Sequence, residues 1–327
     1  MKVGIYGAGA IGGWMGVKLA QAGCEVSVVA RGATLEALRE HGLRLIENGE
    51  THTVEVKASE QPAALGVQDL VIVAVKAPGM AVVAQRIAPL IGANTLVLTA
   101  MNGVPWWFCD GLQGELAGAR LSSIDPDGSI AAAIPAARTL GCVVHASCRV
   151  DAPGVIAHHQ GRGLIVGEAT GHASERVASL VELLRKAGFD ASASAQIQRD
   201  VWYKLWGNMT MNPVSAITGA TTDKILNDPL ARDFVTRVMR EAKEIGARFG
   251  IPIEQAPEDR HAVTLKLGAM RTSMLQDVEA GKAVELDALV GAVCELGALT
   301  GVETPYANAL FGLARLHARA RGLYPLG

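Results

Sequence analysis

Residues 1–13 read MKVGIYGAGAIGG. Lys2–Tyr6 is a short apolar strand running straight into Gly7-x-Gly9-x-x-Gly12. That spacing suits a dinucleotide-binding turn. The first glycine permits a tight turn, the second lets backbone approach a pyrophosphate, and the third lets helix pack closely on strand. A helix expected over Gly13–Ala22 points its N–H groups and positive dipole end at the same phosphates. It stops at Gly23 and is followed by strand-like Glu25–Ala30, so the glycines sit in a β-α-β setting rather than in an isolated turn. Gly7, Ala8, Gly9, Ala10, Ile11 and Gly12 are the expected cofactor contacts.

Outward from this motif, strand and helix alternate. Val26–Ala30 reads as a second buried strand, Asp69–Val75 as a third, Met80–Leu90 as a helix and Thr95–Ala100 as a fourth strand. Leu43–Ile46 and His52–Val56 flank an Asn48-Gly49 hairpin signal. Continuous apolar strands alternating with helices predict a parallel sheet covered on both faces. Strand-like pieces follow at Gly141–Ala146, Gly154–His158 and Leu164–Glu168, then a helix at Ser174–Ala187. Past Gln196 the segments Asp200–Pro213, Pro229–Phe249, Ala262–Ala280 and Val284–Leu299 carry apolar residues at helical spacing. The expected fold class is α/β: a Rossmann-type dinucleotide-binding domain over residues 1–195 and an all-helical domain over 196–327.

A chain of 327 residues, half of them hydrophobic, is long enough for two full cores. Its mean hydropathy is +0.25, yet apolar runs such as Leu70–Val75 fall far short of the ~20 residues of a membrane span. No cleavable leader is expected, because the first strand begins at Lys2. A net charge of −2 without basic blocks points away from nucleic acid and anionic membrane surfaces. Five scattered cysteines without a CxxC suggest reduced thiols in a cytoplasmic protein, with neither zinc nor a disulfide framework. The apolar helical half is compatible with a homodimer.

Where an NAD-binding fold carries a carboxylate after its second strand, this chain has Ala30-Arg31-Gly32. A guanidinium there would pair with a 2′-phosphate, which favours NADPH over NADH. Lys76 and Asn102-Gly103 follow the third and fourth strands, at the carboxyl ends where open α/β sheets bind ligands. In the helical half, Lys204, Asn208 and Asn212 are spaced i, i+4, i+8 and form one row on a helix otherwise rich in Trp, Leu and Met. On spacing alone this row reads equally as a binding face or as a solvated polar stripe. A second polar row lies in Arg271–Asp277, with Glu285 beyond it.

Taken together, Gly7–Gly12, Arg31, Val75-Lys76, Asn102-Gly103, the Lys204/Asn208/Asn212 helix, Ser273–Asp277, Glu285–Asp287 and Gly301–Pro305 resemble the 2-dehydropantoate 2-reductase (ketopantoate reductase) family over nearly the whole length. The resemblance implies an NADP(H)-dependent reductase of a 2-oxo acid in the pantothenate and coenzyme A route, with its site in the interdomain cleft. It makes Lys204 the proton donor and Glu285 its partner. It gives Asn208, Asn212 and Ser273 to the substrate, Asn102 to both cofactor and substrate, and Lys76 and Ser147 to the cofactor. The family's usual Asn ten residues after Asn212 is Thr222 here, its Asn three residues before Ser273 is Met270, and its Thr before Glu285 is Val284. A thinner polar lining around the distal end of the substrate is expected.

An alkoxide formed by hydride addition must be protonated, and lysine, with an unperturbed pKa near ~10.4, enters neutral solution charged and able to do so. Apolar surroundings lower that pKa while a neighbouring carboxylate raises it. Two other readings share the fold: a paralogous NADP-dependent reductase of another 2-oxo or β-hydroxy acid, and a non-enzymatic NADP(H) sensor. An intact Lys204 and Glu285 weigh against the sensor, since cofactor binding alone needs no proton donor.

Overall fold

The computed structural model describes residues 1–325 and resolves them into two compact units. One comprises residues 1–101 and 128–200, the other residues 102–127 and the described residues from 201 to 325.

The first unit is built on a ten-stranded sheet. In chain order its elements are β1 (Lys2–Tyr6), α1 (Ala10–Gln21), β2 (Glu25–Val29), α2 (Gly32–His41), β3 (Leu43–Glu47), β4 (Glu50–Val54), β5 (Lys57–Ser59) and β6 (Gln68–Val73). There follow α3 (Met80–Arg86), β7 (Ile91–Thr99), α4 (Ser129–Ala133), β8 (Thr139–Ala152), β9 (Val155–Glu168), α5 (Glu175–Lys186) and β10 (Asp190–Ala193). The strand order is β4-β3-β9-β8-β7-β6-β1-β2-β5, with β10 beside β9.

From β5 to β8 every pairing is parallel, as continuous apolar strands lead one to expect. Beyond β8 the sheet is mixed: β8–β9 and the expected β3–β4 hairpin are antiparallel, while β3–β9 and β10–β9 are parallel. The three pieces foreseen between residues 141 and 168 fuse into two 14-residue strands. Only Pro153-Gly154 separates them, and so short a link cannot make the crossover that a parallel pair needs. The β3–β4 turn places Asn48 and Gly49 at φ of 53° and 82°, the left-handed pair that a tight hairpin demands. Side chains of Ile5, Val28, Ile72 and Leu98 are fully buried in the sheet. Trp14 of α1 closes one edge of this core, edge-on to Phe189 at 4.8 Å and stacked on His158 at 5.3 Å.

β1 has β2 on one side and β6 on the other, so strand order reverses beside it. Ligands of open α/β sheets bind outside the carboxyl ends at such a reversal. Gly7, Arg31 and Lys76 lie at the ends of these three strands.

The second unit is helical: α6 (Ile197–Thr218, which begins in the first unit), α7 (Thr222–Asn227), α8 (Pro229–Arg248), α9 (Pro257–Leu265), α10 (Ser273–Glu279), α11 (Ala292–Thr300) and α12 (Pro305–Arg319). Three of these helices begin on proline, whose missing N–H would have no partner at a helix start. Asp228 caps α8 by accepting from the N–H groups of Leu230 and Ala231. Trp202, Phe108 and Phe249 meet at the centre of the core, with Val238, Met239 and Ile245 of α8 fully buried around them.

The single helix expected over residues 262–280 is two. Apolar spacing runs through the segment, but α9 ends at Leu265, and Thr272 starts α10 by accepting from the Leu275 N–H at 3.2 Å. Similarly, the helix expected from Val284 opens with a wide π-helical turn, Asp287–Gly291, before α11.

Candidate active site

The three glycines of the first loop have different reasons to be glycine. Gly7 sits at φ 103°, and a Cβ there would fall 2.8 Å from Val75 Cγ1. A Cβ on Gly12 would fall 2.1 Å from the Gly7 carbonyl oxygen. Both are fixed by the protein's own packing. Gly9 has an ordinary φ of −77° and nothing within 4 Å of where a Cβ would stand. Internal packing does not require glycine there, whereas close approach of a pyrophosphate does. α1 starts at Ala10 with no side-chain cap and no acidic residue in its first turn. Its leading N–H groups, which have no partner within the helix, are presented to an anion. A dinucleotide phosphate fits this cradle.

Arg31 is exposed just beyond β2, and the first turn of α2 carries no acid. Burial pushes the Tyr6 hydroxyl up in pKa while Arg86 and Arg31 pull it down, so two guanidinium charges act on this corner of the sheet. Lys76 is half-buried where β6 gives way to a short 3-10 turn, Ala77–Gly79. Ser147 is exposed on β8 opposite Gln160, at an irregularity in the β8–β9 register.

In the second unit, α6 buries Trp202, Leu205, Trp206 and Met209 and turns Lys204 and Asn208 away from that core. Asn212 of the same row is buried. Lys204 Nζ donates to Asn102 Oδ1 at 2.9 Å, joining residues 102 positions apart. Asn102 is held by its neighbours. The Val104 N–H donates to the Ala288 carbonyl at 2.8 Å, and a Cβ on Gly103 would fall 2.6 Å from that same oxygen. Ala288 belongs to the π-helical turn that begins two residues after Glu285, and the Glu285 carbonyl accepts from Leu289 N–H at 3.2 Å. Buried Val284 and Leu286 flank half-buried Glu285. π turns recur at functional sites. The structure thus ties Asn102, Lys204 and the Glu285 segment into one framework. Sequence reading missed the Gly103–Ala288 lock; an Asn-Gly pair just past a buried strand was its one trace.

Ser273 is exposed as the first residue of α10. Thr222, at a position where the family usually has Asn, is fully buried. Its hydroxyl donates to the Gly268 carbonyl at 3.1 Å, and its N–H donates to the Met270 carbonyl at 3.0 Å. The Thr222 side chain therefore secures the Gly268–Met270 turn, while Met270 itself is exposed. No group of metal-binding side chains occurs among the described residues, and none of their helices is long and apolar enough to cross a membrane.

Comparison with known proteins agrees with this architecture. The family model described as ketopantoate reductase PanE/ApbA matches residues 3–171, and the model of the ketopantoate reductase PanE/ApbA C terminal matches residues 196–318. A 2-dehydropantoate 2-reductase of Mesorhizobium japonicum is 45% identical, over 99% of this chain and all of that one. A crystal structure from Ralstonia solanacearum, assigned as a ketopantoate reductase, is 57% identical with a TM-score of 0.96 and 99% of each chain covered. At the level of fold alone, D-mandelate dehydrogenase with NADH and anilino(oxo)acetate superimposes with a TM-score of 0.85 at 23% identity, over 99% of this chain and 100% of that one. By these matches the chain belongs to the ketopantoate reductase family, and is a dinucleotide-dependent oxidoreductase acting on a CH–OH group.

Proposed function

We propose that this chain reduces 2-dehydropantoate to pantoate with NADPH, in the supply of pantothenate and coenzyme A. When bound, NADPH supplies the hydride that reaches the keto carbon. The Lys204 ammonium stabilises the negative charge on the former keto oxygen and then gives it a proton, completing the 2-hydroxy acid. Asn102 aims that ammonium by accepting a hydrogen bond from one of its three N–H groups, and Glu285 is its acidic partner. Asn208, Asn212 and Ser273 hold the substrate. Gly7–Gly12 cradle the pyrophosphate, Arg31 takes the 2′-phosphate, and Lys76, Asn102 and Ser147 complete the cofactor contacts.

The observation that carries this reading is the bond from Lys204 to Asn102. A sensor that only binds the cofactor has no use for a positioned ammonium. The test is an NADPH-oxidation assay across a panel of 2-oxo acids. Turnover of 2-dehydropantoate supports the reading, and the absence of NADPH oxidation with any 2-oxo acid refutes it. A second reading, a reductase of a less polar 2-oxo acid, draws on Met270, an exposed thioether where the family usually offers an amide.

A further inference from the structure

A guanidinium group lies against α6 beside the Lys204–Asn208 row, and the mechanism above gives it no part. Arg260, on α9, is half-buried. Its Nε is buried without a hydrogen-bond partner, and no carboxylate pairs with it among the described residues. Its side chain lies over the Tyr203 ring, 5.0 Å from the centroid. The ring is itself anchored, because Tyr203 OH donates to Gln255 Oε1 at 2.6 Å.

The opposing surface is the backbone of α6. A Cβ on Gly207 would stand 3.1 Å from Arg260 Nε and 3.3 Å from Nη2. Gly207 is mid-helix, where glycine costs about 1 kcal/mol against alanine. The approach of the guanidinium accounts for that cost. Gly207 is three residues after Lys204 and one before Asn208.

A partly desolvated cation without a counter-ion is costly to keep, and an anionic ligand would offset the cost. The spacing selects the anion. Positions i and i+3 of a helix lie about 5–6 Å apart, and the carboxylate of a 2-oxo acid is bonded directly to its keto carbon. A molecule whose keto oxygen meets Lys204 can therefore place its carboxylate on Arg260, where the planar fork can take both oxygens.

We propose that Arg260 binds the carboxylate of the 2-oxo acid substrate. This rests on the reductase reading given above. The test compares wild type with Arg260→Gln and Arg260→Lys on 2-dehydropantoate and on its neutral lactone, which has the same keto carbon and no carboxylate. Kd values for 2-dehydropantoate and for NADPH are measured on the same three proteins.

For Arg260→Gln, KM and Kd for the acid should rise on the order of ten- to a hundredfold. Activity on the lactone and the Kd for NADPH should change less than about threefold, and Arg260→Lys should recover part of the loss on the acid. Equal losses on acid and lactone, or no loss on either, overturn the assignment. If wild type binds 2-dehydropantoate without reducing it, the reaction assignment fails, and the two Kd values still decide Arg260. If wild type neither binds nor reduces it, both assignments are overturned.

Discussion

Lys204 Nζ and Asn102 Oδ1 lie 2.9 Å apart, a contact between the long helix α6 and the segment that follows β7. One proton of the ammonium is committed to the amide, which limits the directions in which the others can point. A carbonyl oxygen arriving at this lysine meets a donor already oriented, the condition under which a general acid is effective.

Lys204→Ala should lower kcat with 2-dehydropantoate by about 10²–10⁴-fold. Affinity for NADPH, measured by fluorescence titration, should stay within about threefold. The lost partner leaves Asn102 only half-buried, so the melting temperature should hardly move. A variant retaining more than about a tenth of wild-type kcat would falsify the proton-donor role.

Gly9→Ala and Gly12→Ala should fail in different ways. At Gly9 the added methyl meets nothing in the protein, so stability should stay within about 0.5 kcal/mol while Kd for NADPH rises at least about tenfold. At Gly12 it strikes the Gly7 carbonyl, and thermal unfolding should show a loss of about 1–3 kcal/mol or more. Unchanged NADPH affinity in a folded Gly9→Ala protein would remove the pyrophosphate from this loop.

Cofactor choice should turn on Arg31. NADPH should bind more tightly than NADH by on the order of ten- to a hundredfold, and Arg31→Ala should erase most of that margin by weakening NADPH alone. Equal affinities for the two cofactors in the wild type refute the 2′-phosphate contact.

Selection for the terminal hydroxyl of 2-dehydropantoate should be weak. Thr222 directs its hydroxyl to Gly268, and Met270 offers no strong donor. A site lacking a dedicated partner discriminates by about 1–3 kcal/mol, whereas one built for a hydroxyl reaches about 10⁴-fold. The comparison is kcat/KM for 2-dehydropantoate against the same 2-oxo acid without the hydroxyl. A preference above about 10⁴-fold would show that another residue supplies the contact.

Acid should release the loop containing Ser122 and Ser123 from α11. Glu295 accepts from both backbone N–H groups at 2.7 and 2.8 Å and from the Ser122 hydroxyl at 2.7 Å. Burial raises its pKa, but the bonds from Ser123 and Ser122 outweigh that and hold the carboxyl below its ordinary value. A depressed folded pKa stabilises the fold above the unfolded value near ~4.3, and the gain is lost as pH falls through the folded pKa. Glu295→Gln should therefore be less stable by about 1 kcal/mol at neutral pH, the figure being modest because the site is partly exposed. Denaturant titrations of the two proteins should converge as pH falls through the lowered folded pKa of Glu295. A gap that persists below it contradicts the assignment.

What could be read from the sequence was local. β1 with its glycines, and Asn48-Gly49 between β3 and β4, each carry their constraint within a dozen residues. The row of Lys204, Asn208 and Asn212 also follows from helical spacing alone. The partnership of Lys204 with Asn102 does not, because nothing near either residue encodes the other. Residues 262–280 misled for the opposite reason: their apolar spacing is continuous, and the break depends on Thr222 gripping the Gly268–Met270 turn from another helix. The hand of the β8–β9 pairing lay in the brevity of Pro153-Gly154, which three separate strand signals obscured.

The assignment of residues 102–127 to the second unit has a consequence for biosynthesis. Phe108, Leu112, Leu116 and Leu121 emerge from the ribosome before the first unit has its remaining strands, and long before the helices that will bury them. Neither unit is a continuous length of chain, and the first is complete in sequence only at residue 200, after the segment 102–127 has already emerged. The nascent protein must carry an apolar segment through some seventy further residues of synthesis, residues 128–200, and so is exposed to chaperone capture over that interval. For the same reason, a fragment starting at residue 201 would lack part of its own interior.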